Sequence, residues 1–118
     1  MSIFQINPED FEREILHEER MSLVLFWAPS SHESKEILNL LEPVSGDYAE
    51  YVKFAALNSF HSIELTEYYN VKAVPAILYF WKGKEIGRSD GYASIKNINS
   101  VIDRILKVFK IVEKKHHF

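Results

Sequence analysis

Apolar positions along this chain follow two rhythms. Short unbroken runs predict strands, and apolar residues three or four apart predict helices. Residues 22–27, Ser-Leu-Val-Leu-Phe-Trp, are apolar almost without alternation, which is the pattern of a central strand covered on both faces. Residues 76–81, Ala-Ile-Leu-Tyr-Phe-Trp, make a second such run, rich in aromatic side chains. Residues 2–6 and 52–57 predict two more strands. The tripeptide Lys82-Gly83-Lys84 predicts a hairpin turn into a strand over 85–88.

Helical spacing fills the gaps. Asn7-Pro8-Glu9-Asp10 reads as a helix start, with Asn as the cap, Pro in the first turn and acids beside it. Phe11, Ile15 and Leu16 follow on one face. Residues 29–34 break the second strand, and a helix then carries Ile37, Leu40, Leu41, Val44 and Tyr48. Pro43 lies inside that pattern and predicts a kink or an end there. Residues 62–69 predict a short helix. The last helix begins near Ser94, with Ile98, Ile102, Ile105 and Phe109 as its core stripe. The predicted order is βαβαβαββα, an α/β fold with a central mixed β-sheet and helices on both faces. The 118 residues show no repeat and no linker, so one domain is expected, with an exposed tail over 109–118.

Composition narrows the chemistry. Fourteen Lys and Arg against 17 Asp and Glu give a formal charge of −3, which argues against nucleic acid or an anionic membrane as partner. The longest apolar runs are about half a dozen residues, far short of the roughly 20 needed to span a bilayer. The first residues carry no basic leader, so the expected location is cytoplasmic. There is no cysteine, which excludes disulfides, thiolate nucleophiles and thiolate metal sites in this chain. Histidines stand at 17, 32, 61, 116 and 117, none paired at helical spacing. His116 and His117 offer only a loose grip in the tail, so no metal and no cofactor are expected.

Three segments carry a family resemblance. Val24-Leu-Phe-Trp-Ala28 is followed by six residues and Lys35; Tyr69-Asn-Val-Lys-Ala-Val-Pro75 precedes a strand; Gly83 and Gly91 fall in the hairpin and before the last helix. Together, in this order and spacing, they resemble the thioredoxin family over about residues 3–108. The resemblance implies a thioredoxin-like fold. It also marks departures. The family's two redox cysteines fall on Ser31 and Ser34, in a motif that reads Ser31-His32-Glu33-Ser34. The family's buried acid falls on Leu25, and the lysine that assists it falls on Ala56. A helix N-terminus lowers a thiol pKa toward neutrality, but a serine hydroxyl starts far too high for the same field to ionise it. Ser31 is expected instead to cap the following helix. Leu25 avoids the cost of burying a carboxylate that would have no cysteines to serve.

Other candidates carry two readings each. Ser31, His32 and Glu33 invite comparison with a hydrolytic triad, but consecutive residues at a helix start splay by about 100° and read better as a solvated turn. The resemblance implies a cis Pro75, with the backbone of Val74 pairing with an extended bound peptide. The alternative is that Pro75 only shapes the turn into the next strand. By resemblance Trp27 lines the binding surface beside Ser31 and Val74; otherwise it is core. Gly91 lines the same groove, or serves a turn that needs positive φ. Glu18 and Glu19 beside Arg20 read as a solvated turn, and Lys107, Lys110, Lys114 and Lys115 as the exposed face of the last helix.

The leading expectation is a redox-inactive, thioredoxin-like protein-binding module, a chaperone or an assembly partner. Its peptide-binding wall would be Trp27, Ser31, His32, Val74, Pro75 and Gly91, and its partners protein or peptide clients. The alternative is a thiol–disulfide oxidoreductase whose two motif cysteines were exchanged for Ser31 and Ser34. The oligomeric state stays open.

Overall fold

The computed structural model describes residues 3–111. Strand β1 is Ile3–Gln5, β2 Met21–Trp27, β3 Val52–Asn58, β4 Ala76–Trp81 and β5 Lys84–Asp90. Helix α1 is His32–Asp47, α2 Ile63–Tyr68 and α3 Ile95–Val108. The five strands form one mixed sheet in the order β1-β3-β2-β4-β5. β3 runs parallel to β1 and β2, while β4 is antiparallel to both β2 and β5. This is the mixed α/β architecture that the strand and helix pattern predicts.

Alternation along the central strands builds two cores. Leu23, Leu25 and Phe54 point to one face, where Ile37, Leu41 and Val44 of α1 and Ile98 and Ile102 of α3 cover them. Val24, Phe26, Leu57 and Phe80 point to the other, against Phe11, Ile15 and Val71, with Leu65 of α2 at its edge. Six of the seven residues of β2 are buried, which is why its sequence shows no alternation.

Three local expectations are corrected, and a fourth, on Pro43, is narrowed. Asn7 has the extended backbone of a cap, but its side chain bonds no helical N–H. The segment folds as a 3-10 turn over Pro8–Asp10 and a π-helical turn over Glu12–Leu16, the latter closed by the His17 N–H on the Glu12 carbonyl. Pro43 does not end its helix, which runs on to Asp47. Pro43 and Asn39 are both exposed, so water can take the carbonyl that proline leaves unpaired. Phe109 is not a core residue of the last helix; it follows α3 as its cap, 37% exposed, with its ring edge-on to Trp81 at 5.9 Å. Glu18 is not a solvated turn residue. Its carboxylate binds Arg20 and lies 3.6 Å from Lys53 Nζ. Lys53 in turn is buried on β3 and donates to the Glu14 carboxylate and backbone carbonyl.

The hairpin turn is as predicted, with Lys82 and Gly83 both at positive φ. The strand after it is longer than predicted and bulges opposite Tyr79 and Phe80, where Ile86 is the extra residue. Tyr79 and Phe80 are core, and Trp81 lies under Phe109. Lys114, Lys115, His116 and His117 lie outside the described residues. Among those described, no helix is long and apolar enough to cross a membrane.

Candidate functional site

The sheet register gathers most candidates at one end. Phe26 of β2 faces Ala76 of β4, and Ala76 faces Asp90 of β5. Trp27, Pro75 and Gly91 are therefore the next residues along three adjacent strands. Ser31 begins α1 four residues beyond Trp27. The Val74–Pro75 peptide is cis. Pro75 is buried, Val74 is half-buried, and the Gly91 N–H donates to the Pro75 carbonyl at 2.9 Å. Gly91 has φ +82°, and a Cβ there would meet nothing within 4 Å. The turn, not crowding, is what demands glycine. Val74 makes none of the backbone hydrogen bonds among the described residues.

Ser31 does what its position predicts. Its Oγ accepts the Ser34 backbone N–H at 3.1 Å, and its own N–H donates to the Ala28 carbonyl. Ser34 is fully buried, and its hydroxyl has no partner among the described residues. His32 points into solvent, with 85% of its side chain exposed, and faces Glu36 at 3.6 Å rather than Ser31. Among the described residues no acid–base chain runs through Ser31. Glu33 is exposed on the first turn of α1.

Below this turn lies a row of three residues. Leu25 registers with Ala56 on one side and Ile77 on the other, all at most 1% exposed. The positions that resemble the family's acid and assisting lysine are thus direct cross-strand neighbours, and both are apolar. None of these three side chains can hold or relay a proton.

Trp27 packs against the α1–α3 core. Its Nε1 donates to Gln5 Oε1 of β1 at 3.2 Å, across β3 and away from β4. Sequence reasoning missed Arg88. From β5 its guanidinium binds Glu85 and donates to the carbonyls of Tyr69 and Asn70, bracing the segment that leads to Pro75. An arginine in a weakly patterned strand gives no local signal of such a role. Beside this loop lies a hollow of about 340 Å³ lined by Lys72, Ala73, Arg88, Asp90 and Gly91. Tyr92 follows it, 52% exposed. Among the described residues no three His, Asp or Glu side chains converge as metal ligands.

Comparisons with known proteins agree with this architecture. The family described as Thioredoxin matches residues 2–104. Thioredoxin C-2 of Corynebacterium nephridii is 29% identical over 103 residues, 87% of this chain and 95% of its own length. Thioredoxin of Buchnera aphidicola (from Schizaphis graminum) is 25% identical over 105 residues, covering 89% and 97%. Thioredoxin of Staphylococcus epidermidis is 27% identical over 106 residues, covering 90% and 100%. With the sheet order and the cis Val74–Pro75 loop at its end, the match over most of its length means that this chain belongs to the thioredoxin family.

Proposed function

We propose that this chain is a thioredoxin-family protein that does no redox chemistry and binds other proteins, as a chaperone or assembly module, at the groove around Pro75. One observation carries the reading. The two cysteine positions are Ser31 and Ser34, the acid–base row behind them is Leu25, Ala56 and Ile77, and yet the Pro75 loop and its Gly91 turn are kept. On this reading the residues of electron chemistry are absent at each of these positions, while the wall that would grip a peptide is retained.

The grip would be β-augmentation. The free backbone of Val74 supports it, since an extended client can pair there with one N–H and one carbonyl. Main-chain bonds then give affinity, and the neighbouring side chains give selectivity. On this reading Ser31 and His32 at the start of α1, Gly91 just after β5 and Trp27 at the end of β2 would border the groove. Clients are proteins or peptides in extended form, and the cytoplasm is where they would be met.

The test has two parts. The protein is expected to give no insulin reduction with dithiothreitol or a thioredoxin reductase; turnover would overturn the reading. Pro75→Ala is expected to weaken client binding beyond its effect on stability. Unchanged binding by the folded variant would move the site elsewhere. A second reading has one observation in its favour: serine at both motif positions is also what a deliberate exchange of two cysteines would leave. Codons 31 and 34 of the natural gene decide it. Cysteine at both makes the chain a thiol–disulfide oxidoreductase; serine at both closes that reading. Leu25 and Ala56, which no such exchange requires, support the first.

A further inference from the structure

Large apolar side chains that stay exposed are scattered over most of this surface, with one exception. Phe60, Ile63 and Tyr68 are 62%, 62% and 78% exposed, and all three line one open groove of about 650 Å³. Pro8 and Leu65 complete its apolar floor. A concentration of this kind on one short helix and its approach marks an interaction surface. The groove lies on the face covered by α2, whereas α1 with its Ser31 cap covers the other face of the sheet.

His61 apart, the ionisable side chains that line the groove are of one sign. Glu9 and Glu64 line it, and Glu67 is exposed one turn along α2 from Glu64. Among the described residues none of these three carboxylates has an ion-pair partner. No Lys or Arg lines the groove, and nearby Arg13 is already held by Asp10 and Glu14. An apolar floor between unpaired carboxylates repels acidic segments, nucleic acid and anionic lipid alike, and it suits an apolar side chain flanked by cations.

We propose that this groove is a second docking site, separate from the Pro75 wall, for a segment of a partner protein that carries aromatic or aliphatic residues flanked by lysine or arginine. The apolar residues seat against Phe60, Ile63 and Tyr68. The cations meet Glu9 and Glu64 at the rim.

Two fluorescein-labelled hexapeptides test it, each with phenylalanine and leucine at its centre, one flanked by lysines and one by glutamates. Binding is read by anisotropy and by amide shifts in the ¹⁵N-labelled protein. The lysine-flanked peptide is expected to shift residues 60–68 and to bind at least about tenfold more tightly than the acidic one. Its binding is expected to weaken severalfold as salt rises from about 0.01 to about 0.5 M, because screening acts on exposed charges. The double variant Phe60→Ala, Tyr68→Ala is expected to weaken it at least about tenfold, and Glu9→Lys with Glu64→Lys to reverse the preference. All four side chains are exposed and none belongs to either core, although the Tyr68 ring meets Tyr69 edge-on, so thermal unfolding of each variant is measured alongside. Pro75→Ala is expected to leave this binding unchanged, which separates it from the groove proposed above. Equal affinity for the two peptides, no shift in residues 60–68 at millimolar peptide, or shifts confined to residues 72–75 and 91 would overturn the proposal. Shifts in residues 60–68 that depend on protein concentration alone would overturn it too, because a second copy would then be the occupant.

Discussion

Leu25→Asp puts a carboxyl where the family resemblance has one and where this chain has leucine. The site is fully buried between Ala56 and Ile77. Losing a buried leucine side chain costs about 2–5 kcal/mol in transfer and cavity terms. The carboxyl adds a second cost that depends on pH. No lysine or polar side chain stands in that row, so desolvation raises its pKa well above the ordinary value near 3.9. A rise of about three units corresponds to about 4 kcal/mol once the group must ionise. The folded state then binds the proton more tightly than the unfolded chain. Stability is therefore greatest below about pH 4 and is lost as pH rises through the raised folded-state value.

Near neutral pH the total is about 6–9 kcal/mol, comparable to the whole stability of a domain this size. The variant is expected to be largely unfolded at pH 7.5 and to recover as the pH is lowered. Leu25→Ala supplies the control, since it carries the cavity without the titration. The assay is guanidinium unfolding followed by the fluorescence of Trp27 and Trp81, for both variants, from pH 4.5 to 7.5. The gap between them is expected to widen steadily with pH. A gap that stays constant or narrows would mean that water or a polar group reaches the carboxyl. The view that this row has closed to acid–base chemistry would then fail.

The ion cluster around Lys53 of β3 contributes to the acid limb of the wild type. Lys53, by hydrogen bond and charge, holds the Glu14 carboxyl below its ordinary range; partial burial pushes Glu18 up, but Arg20 and Lys53 outweigh it and hold Glu18 low as well. Both groups stabilise the fold above about pH 4.3, and this is lost as pH falls through their depressed values. Lys53→Met is expected to lower stability at pH 7 and flatten that limb in urea titrations, whereas an unchanged slope would show that the cluster is thermodynamically silent. Ser31→Ala is expected to cost about 1 kcal/mol as a lost helix cap, while Ser34→Ala is neutral or stabilising because its buried hydroxyl is unpartnered. Equal effects of the two in thermal unfolding would contradict the assignment of the cap. Gly91→Ala is expected to cost about 1–2 kcal/mol by backbone strain alone, since space is open around it; a cost near zero would show that the turn relaxes.

What was legible in the sequence was whatever rests on local rhythm. The apolar runs of β2 and β4, the spacing of Ile98, Ile102 and Ile105, and the Lys82–Gly83 turn each read correctly from a few consecutive residues. Leu25 and Ala56 were read as a pair through the resemblance, and the register places them side by side. The failures come from contacts between distant residues. Glu18 looks solvated until β3 brings Lys53 to it, and Arg88 looks idle until its fork meets the Tyr69 and Asn70 carbonyls. The helix runs on past Pro43 because the next turn, with Val44 and Ser45, is held by burial, which a local rule does not see. The apolar groove was hidden for the opposite reason. Phe60, Ile63 and Tyr68 are apolar in sequence, and only the fold shows that their side chains stay exposed.

Lys53 has a chemical consequence of its own. An amine reacts with acylating reagents through its free lone pair. Lys53 is buried, with its ammonium bound to the carboxylate and carbonyl of Glu14, close to Glu18, and 5.3 Å from the centre of the Phe4 ring. Little of it is open to reagent until the start of β3 comes away from the π-helical turn at Glu12–Leu16. In a mass-spectrometric time course with an amine-reactive ester, the exposed lysines of α1 and β5 become a prompt background, and acylation of Lys53 becomes a clock for opening of this end of the sheet.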